Sequence, residues 1–305
     1  MTAVLALDAG QTGIRTRLSH GAQPEAVREF PGVLTDRPVL PQLAAAARSS
    51  LQDTGATGVE LAIGSSGLSD DMTAEALLAL LDDSPVVAVH LAHDSVTSYL
   101  GALGDVPGVV VAAGTGVVTL AVGQSQVSRV DGWGFLLGDA GSGFWIGRAA
   151  LDAVMRAHDG RGPQTSLTPL AEQDFGDLEA AYITLQSDEH KVSRISAWAR
   201  VVDEHAAAGD EVCRQVLQRA GEELAGSVLA GMRNVGLPGQ APVATLGKVF
   251  ASGLVRSAFA ATLARSRTDP QLVAAHNTGL DGAASLPTVR PASALAARIR
   301  TARKA

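Results

Sequence analysis

The sequence predicts an α/β protein of two domains, and three observations lead to this class. Strand-like and helix-like runs alternate along the N-terminal third of the chain. An apolar strand, a Gly/Thr turn and a returning strand occur at residues 3–18 and again at residues 108–122. The length of 305 residues suits two domains of ordinary size. The repeat predicts two similar domains facing each other across a cleft, and a chance likeness of two hairpins is the alternative.

The first domain is predicted over residues 1–106. Its strands are expected at 3–7, 14–18, 26–30, 59–63 and 86–91, where apolar or alternating residues are bounded by turn residues. Its helices are expected at 38–51, 73–81 and 94–101. Pro38 suits the first position of a helix, because its missing N–H has no helical partner there.

The second domain is predicted over residues 107–290 and is mainly helical after its hairpin. Helices are expected at 142–158, 178–186, 192–208, 210–234 and 251–265, with a strand at 242–246. A last helix is predicted over 292–304, after Pro287 and Pro291. We expect this C-terminal segment, 291–305, to complete the first domain as a helix.

Composition and charge exclude several classes of protein. The net charge of −7 comes from scattered acidic residues, and the longest basic cluster is 298–304, so nucleic acid is not an expected partner. Cys213 is the single cysteine, which excludes intrachain disulfides and cysteine-rich metal sites. The N-terminus lacks a basic signal-peptide region and reaches Asp8 early, which favours a cytoplasmic location. The uncharged stretch 106–128 is long enough for a membrane span, but its central glycines predict two buried strands and no membrane contact.

Two glycine-rich turns are candidates for phosphate binding. Backbone N–H groups at such turns form concave anion sites, and glycine allows close approach of a phosphate. The first turn contains Gly10, Gln11 and Thr12, and Asp8 beside it is suited to hold a hydrated Mg²⁺. The second turn is Ala113-Gly114-Thr115-Gly116 and carries no charge. Both patterns are also typical of ordinary tight turns.

Carbohydrate chemistry is indicated at two further places. Asp94 follows a buried strand and opens a helix, so it is either a helix N-cap or a general base for a substrate hydroxyl. The segment 132–147 interleaves six glycines with aromatic residues. There Trp133 is a candidate for stacking on a sugar ring and Asp139 for accepting its hydroxyls, while buried packing of Trp133 and Trp145 is the alternative.

Six motifs spread along the chain resemble those of a known family. They are Leu7-Asp8-Ala9-Gly10-Gln11-Thr12, Ile63-Gly64-Ser65-Ser66-Gly67, His93-Asp94-Ser95, Ala113-Gly114-Thr115-Gly116, Gly132-Trp133-Gly134 and Gly138-Asp139-Ala140-Gly141-Ser142-Gly143. The chain resembles the BadF/BadG/BcrA/BcrD-type ATPase and N-acetylglucosamine kinase family of the sugar kinase, heat-shock protein 70 and actin superfamily. The resemblance implies a two-domain actin-like (ribonuclease H-like) fold with a nucleotide and sugar cleft between the domains.

The resemblance also implies an activity and the residues that carry it. The activity is ATP-dependent phosphorylation of an amino sugar, N-acetylglucosamine or glucosamine, at O6, by a Mg²⁺-requiring homodimer. Asp94 resembles the catalytic base, and Asp8 resembles the carboxylate near Mg²⁺. The implied nucleotide-binding residues are Gly10, Gln11, Thr12, Gly114, Thr115, Gly116, Gly247 and Lys248. The implied sugar-binding residues are Ser66, Asp94, Thr115, Gly132, Trp133 and Asp139.

Two departures from the family pattern bear on the substrate. The family commonly has Glu where this chain has Ala140, and a Gly pair where it has Asp131-Gly132. If that Glu orients the sugar in the family, its absence here implies a substrate other than the typical N-acetylglucosamine. Asp131 is then a candidate for recognising a charged amino group, which would favour glucosamine.

Two other functions of this fold are alternatives. An ATPase that activates a radical dehydratase needs cysteines for an iron–sulfur cluster, and Cys213 alone cannot supply them. A non-catalytic sugar sensor carries an added DNA-binding segment, for which the sequence before Ala3 leaves no room.

Overall fold

A computed structural model describes residues 3–21, 23–24, 26–34, 36–266 and 268–304. The chain divides into two compact units. The first unit comprises Met1–Val110, Val122–Val127 and Ala274–Ala305, and the second comprises Val111–Ala121 and Ser128–Val273.

A seven-stranded sheet forms the centre of the first unit. Its strands are β1 (Ala3–Gly10), β2 (Gly13–His20), β3 (Gln23–Pro24), β4 (Arg28–Phe30), β5 (Val59–Ser65), β6 (Val86–His93) and β12 (Arg300–Arg303). The order is β12-β6-β5-β1-β2-β3, with β4 also paired to β2. Strands β1, β5 and β6 run parallel, so their carboxyl ends meet at one edge of the sheet. Loops at this edge of an α/β sheet commonly hold the functional site.

Among the described residues, the α-helices of the first unit are α1 (Val39–Leu51), α2 (Ala74–Ala79), α3 (Asp94–Leu103) and α10 (Gly279–Ser285). Leu5, Leu7, Leu43, Leu61 and Leu77 are fully buried in its core. The continuous apolar run along β1, typical of a strand covered on both faces, and the apolar face of α1 explain this burial. Helix α10 was not expected from the sequence.

The prediction that the C-terminal segment forms a helix over 292–304 is wrong. A short 3-10 turn covers Ala296–Arg298, and the edge strand β12 then pairs antiparallel with β6. The basic side chains hold this strand, because Arg300 donates to the carbonyl oxygen of Met72 at 2.5 Å and Lys304 donates to that of Asp82 at 2.9 Å. Tertiary hydrogen bonds therefore override the local helix propensity. Residue 305 lies outside the described residues.

A five-stranded sheet with the order β11-β10-β7-β8-β9 is the centre of the second unit. Its strands are β7 (Gly108–Ala113), β8 (Val117–Val122), β9 (Val127–Val130), β10 (Pro242–Leu246) and β11 (Gln271–Val273). The helices are α4 (Gly143–His158), α5 (Thr168–Phe175), α6 (Ala181–Ser187), α7 (Lys191–Ala207), α8 (Glu211–Asn234) and α9 (Gly253–Ala264). Strands β7 and β8 confirm the two-strand interpretation of 106–128. Across the described ranges, no helix is both long and apolar enough to span a membrane.

Candidate functional site

The first glycine-rich turn is a tight two-residue connection. Strands β1 and β2 stay paired up to Gly10 and Gly13, which leaves Gln11 and Thr12 exposed at the tip. The neighbouring segment supports this tip, since Val33 donates its N–H to the carbonyl oxygen of Gly10 at 3.0 Å. The tip is therefore held in place from the backbone while its side chains stay free for a ligand.

Asp8 and Asp94 lie at the carboxyl edge of the same sheet. Asp8 is near the end of β1, and Asp94 directly follows β6. Burial raises the pKa of Asp8, and the negative charge of Asp94 raises it further, against a smaller lowering by Arg15. The two carboxylates are therefore close enough to repel each other. Within the described ranges, no group of three or more His, Cys, Asp or Glu side chains is placed to hold a metal on its own.

His93, and not Asp94, caps helix α3. The imidazole Nδ1 of His93 accepts the N–H of Ser95 at 3.2 Å. Asp94 occupies the first helical position, with about a third of its side chain exposed and Oδ1 2.9 Å from Nδ1 of His93. The N-cap alternative for Asp94 is therefore wrong, and its carboxylate is available for another role.

Ser66 joins this edge through its backbone. Its N–H donates to the carbonyl oxygen of Ala9 at 3.0 Å, and its hydroxyl lies 3.5 Å from the same oxygen. The structure thus brings Ser66 to the end of β1, directly beside the turn that contains Gly10. Asp8, Asp94, Ser66 and the first turn form one cluster within the first unit.

The second glycine-rich turn is fixed to the start of helix α4. Gly143 donates its N–H to the carbonyl oxygen of Gly114 at 2.8 Å, and Phe144 donates to that of Thr115 at 3.1 Å. Ser142 caps the helix by accepting the N–H of Trp145 at 3.1 Å. The φ of Gly114 lies outside the left-handed region, and a Cβ there would meet nothing within 4 Å. The local fold therefore does not require glycine at 114, which leaves space for an approaching ligand.

A pocket of about 570 Å³ lies beside this turn, within the second unit. It is lined by Gly114 and Thr115 on one side and by Lys248 after β10 on another. Gly247 has φ 95°, and a Cβ there would lie 2.2 Å from the carbonyl oxygen of Ala113. Only glycine allows this backbone contact, which brings the two predicted nucleotide-binding loops to one pocket.

Asp131 holds the glycine-rich loop together. One carboxylate oxygen accepts the N–H groups of Gly132 and Asp139, both at 2.7 Å, and the other accepts the N–H of Ala140 at 3.0 Å. Both oxygens thus have backbone partners. This arrangement gives Asp131 a role in shaping the loop and does not support the idea that it recognises an amino group.

Asp139 is directed against the second glycine-rich turn. Its side chain is buried, and Oδ1 accepts the N–H of Val117 at 3.4 Å. A Cβ on Gly116 would lie 2.8 Å from the carboxylate, so glycine at 116 makes room for it. Burial raises the pKa of Asp139, the hydrogen bond from Val117 lowers it, and the nearby charge of Asp131 raises it further.

Trp133 is an exposed aromatic residue of the same loop. Its side chain is 55% exposed, which excludes the core-packing alternative for this residue. The guanidinium of Arg129 lies 4.2 Å from the ring centre. This cation–π contact covers one face of the indole, while more than half of the residue stays exposed.

Replacing Asp131 by Ala is expected to destabilise the protein by about 2 to 4 kcal/mol, because three backbone N–H groups lose a charged acceptor. Asp131 also has a left-handed φ of 59°. Asp53→Ala is the matched control: Asp53 has φ 62°, and its side chain makes no hydrogen bond or ion pair with the described part of the chain. The free energy of unfolding of the control should fall by only about 1 kcal/mol, because Ala tolerates a left-handed φ less well than Asp. Equal losses in chemical denaturation would contradict this role of Asp131.

Several residues of the pocket were not expected from the sequence. Ser196 and Asp203 line it from α7, and Ser252 lines it from the start of α9. They belong to no motif, and only the spacing along one face of α7 could have indicated that two of them share a surface.

Comparison with solved structures defines the class of fold. A Chromobacterium violaceum protein assigned as an N-acetylglucosamine kinase is similar with a TM-score of 0.75 and 25% identity, over 94% of this chain and 99% of that one. A ROK family glucokinase from Streptomyces griseus, in complex with glucose and AMPPNP, gives a TM-score of 0.54 at 17% identity, over 93% and 98%. The chain therefore has the actin-like ATPase fold of sugar kinases, as predicted.

Sequence comparison defines the family. The model of the BadF/BadG/BcrA/BcrD ATPase family matches residues 3–285, so the chain belongs to that family. An N-acetyl-D-glucosamine kinase from Dictyostelium discoideum is 33% identical over 168 residues, 52% of this chain and 50% of the relative. The chain spans about half the length of the curated relatives it matches.

Proposed function

We propose that the protein is a kinase that transfers the γ-phosphoryl group of ATP to a hydroxyl of an amino sugar. The observation that carries the proposal is the pocket of about 570 Å³ lined by Gly114, Thr115 and Lys248. Its size suits a small ligand such as a nucleoside, and the open space at Gly114 suits a phosphate beside the backbone. The turn with Gly10, Gln11 and Thr12 would supply further phosphate contacts.

The sugar is proposed to be N-acetylglucosamine or glucosamine, phosphorylated at O6. The similarity to an N-acetyl-D-glucosamine kinase supports an amino sugar as the acceptor. Trp133 offers an exposed ring for stacking, and the buried carboxylate of Asp139 offers an acceptor for sugar hydroxyls. Ser66, Thr115 and Gly132 would complete the sugar contacts.

The residues near Asp8 fit a bound Mg²⁺. Burial and the charge of Asp94 both raise the pKa of Asp8, so this edge carries negative charge that a divalent cation would relieve. Mg²⁺ in phosphoryl-transfer sites commonly uses one or two carboxylates together with water and phosphate oxygens. When bound, the ion supplies charge neutralisation for the phosphates. Asp8 is the side chain proposed to hold it.

Asp94 is proposed to act as the general base. Its carboxylate accepts the proton of the sugar hydroxyl as that oxygen bonds to the γ-phosphorus of ATP. The bond from the γ-phosphorus to the bridging oxygen breaks, and ADP leaves with that oxygen. The products are a sugar phosphate, ADP and one proton. Because His93 supplies the cap of α3, this step does not compete with a capping role of Asp94.

Replacing Gly114 by Ala is expected to raise KM for ATP by about tenfold or more, because the new methyl group occupies the space proposed for phosphate. Stability should be unchanged, since a Cβ at 114 meets nothing within 4 Å. Gly226→Ala is the matched control, as Gly226 is exposed in α8 and equally open. Steady-state kinetics at saturating sugar measures both.

An unchanged KM for ATP in the Gly114→Ala variant would contradict phosphate binding at this turn. A rise in KM that the Gly226→Ala variant shared would do the same. The homodimer and the cytoplasmic location implied by the resemblance stay predictions.

A further inference from the structure

The proposed catalytic steps leave one carboxylate of the nucleotide pocket without a role. Asp203 lies on α7, is half-buried and lines the pocket. Its Oδ1 accepts the hydroxyl of Ser252 at 2.5 Å. Ser252 also caps α9, where its Oγ accepts the N–H of Val255 at 3.4 Å. The carboxylate is thus held in a fixed place by the start of a second helix.

The position of Asp203 along the pocket follows from helix geometry. Ser196, on the same helix, lies at the end of the pocket that is near the second glycine-rich turn. A Cβ on Gly143 would lie 2.6 Å from Oγ of Ser196 and 3.0 Å from the carbonyl oxygen of Gly114, so both groups are close to the same point. Asp203 follows Ser196 by seven residues, which is a rise of roughly 10 Å. Asp203 therefore lines the pocket about two helical turns away from the proposed phosphate site, where a nucleoside would lie.

The surroundings leave Asp203 able to bind a ligand. Ile146, Leu217 and Val255 form apolar walls that suit the ring of a base. The nearby cation Arg200 pairs with Glu204 at 2.6 Å. In the ranges the structure describes, no cation pairs with Asp203 and no protein group donates a hydrogen bond to its Oδ2. An ionised carboxylate only accepts hydrogen bonds, so this oxygen selects for a donor on the ligand.

We propose that Asp203 accepts a hydrogen bond from the nucleoside part of the phosphoryl donor and so determines donor specificity. This inference rests on the proposed function, because it takes the pocket as the ATP site. Ribose hydroxyls and the exocyclic amine of adenine are both hydrogen-bond donors that a carboxylate recognises. The experiment distinguishes these two sources.

The test uses Asp203→Asn, which keeps an oxygen for the Ser252 hydroxyl but removes the charge. One charge-assisted hydrogen bond corresponds to a loss of about 10- to 100-fold in affinity. We expect calorimetry with ADP to show this loss, and kinetics to show the same rise in KM for ATP with little change in KM for the sugar. Glu223→Gln, the same charge change at an exposed site of α8, should match wild type.

Nucleotide analogues identify the donor group. If a ribose hydroxyl is the donor, wild type should bind 2′-deoxy-ADP or 3′-deoxy-ADP more weakly than ADP. The Asp203→Asn variant should bind that analogue and ADP with similar affinity. If the amine is the donor, the same contrast should appear with inosine diphosphate. Either contrast between wild type and Asp203→Asn supports the proposal. If no such contrast appears with any of the three analogues, the proposal is contradicted.

Two further outcomes would overturn the proposal. One is an ADP affinity of the folded Asp203→Asn variant within about twofold of wild type. The other is an equal loss in Glu223→Gln, since removal of one negative charge anywhere on the second unit would then account for the effect. Calorimetry with ADP needs no sugar, so it tests Asp203 even if no sugar is phosphorylated. Absence of sugar phosphorylation would count against the proposed function alone.

Discussion

Replacing Asp94 by Asn is expected to lower kcat by about two orders of magnitude or more and to leave sugar binding largely intact. The amide cannot accept the proton of the attacking hydroxyl, whereas it can still donate and accept hydrogen bonds in the same place. The fold should not change, because His93 supplies the N-cap of α3. Steady-state kinetics and sugar binding by calorimetry measure the two effects separately.

The control for this variant is Asp53→Asn, which makes the same charge change at an exposed turn of the first unit. It should keep the wild-type kcat. An Asp94→Asn enzyme with unchanged turnover would remove Asp94 from the mechanism. A variant that lost sugar affinity and kept kcat would instead make Asp94 a binding residue.

Replacing Asp8 by Asn is expected to lower the rate by about 10² to 10³ at ordinary Mg²⁺ concentration, because the proposed metal carboxylate is lost. A higher Mg²⁺ concentration should recover part of this loss, since the phosphates still bind the ion. A Mg²⁺ titration of the initial rate is the measurement. The same Mg²⁺ dependence in variant and wild type would contradict the role of Asp8.

The same substitution should stabilise the protein in metal-free buffer at neutral pH. The pKa of folded Asp8 lies above its ordinary value of 3.8, so the folded state takes up a proton more readily than the unfolded chain. The charged Asp8 carboxylate lowers the free energy of unfolding. This loss is absent below pH 3.8 and appears as the pH rises through the pKa of Asp8 in the folded state. Asp8→Asn removes this loss, so the variant should have the higher unfolding midpoint at pH 7, and the gain should disappear in acid. A lower midpoint at pH 7 would make Asp8 a structural residue.

Local patterns predicted most of the fold. Helix α4 starts after Ser142 as expected, because a serine N-cap before an apolar periodic run is a local signal. Strand β10 was predicted from its apolar residues and leads into Gly247 as expected. The C-terminal strand β12 was missed, because its partners are backbone atoms of β6 and the segments beside α2, which are distant in sequence.

The candidate site shows the same division between local and tertiary information. Motifs indicated Asp8, Asp94 and the second glycine-rich turn, and the structure adds the contacts that hold them. No sequence pattern could show that Asp131 binds three backbone N–H groups, since this depends on the loop closing on itself. Asp203 was missed because its place in a pocket depends on how α7 and α9 pack.

The measurement that tests the proposed function most directly is ADP release with glucosamine, N-acetylglucosamine, N-acetylmuramic acid and glucose, each against a reaction without sugar. We predict that ADP appears only when an amino sugar is present, with one sugar phosphate formed for each ADP. ADP released at the same rate with and without every sugar, and no sugar phosphate, would contradict the assignment as a sugar kinase.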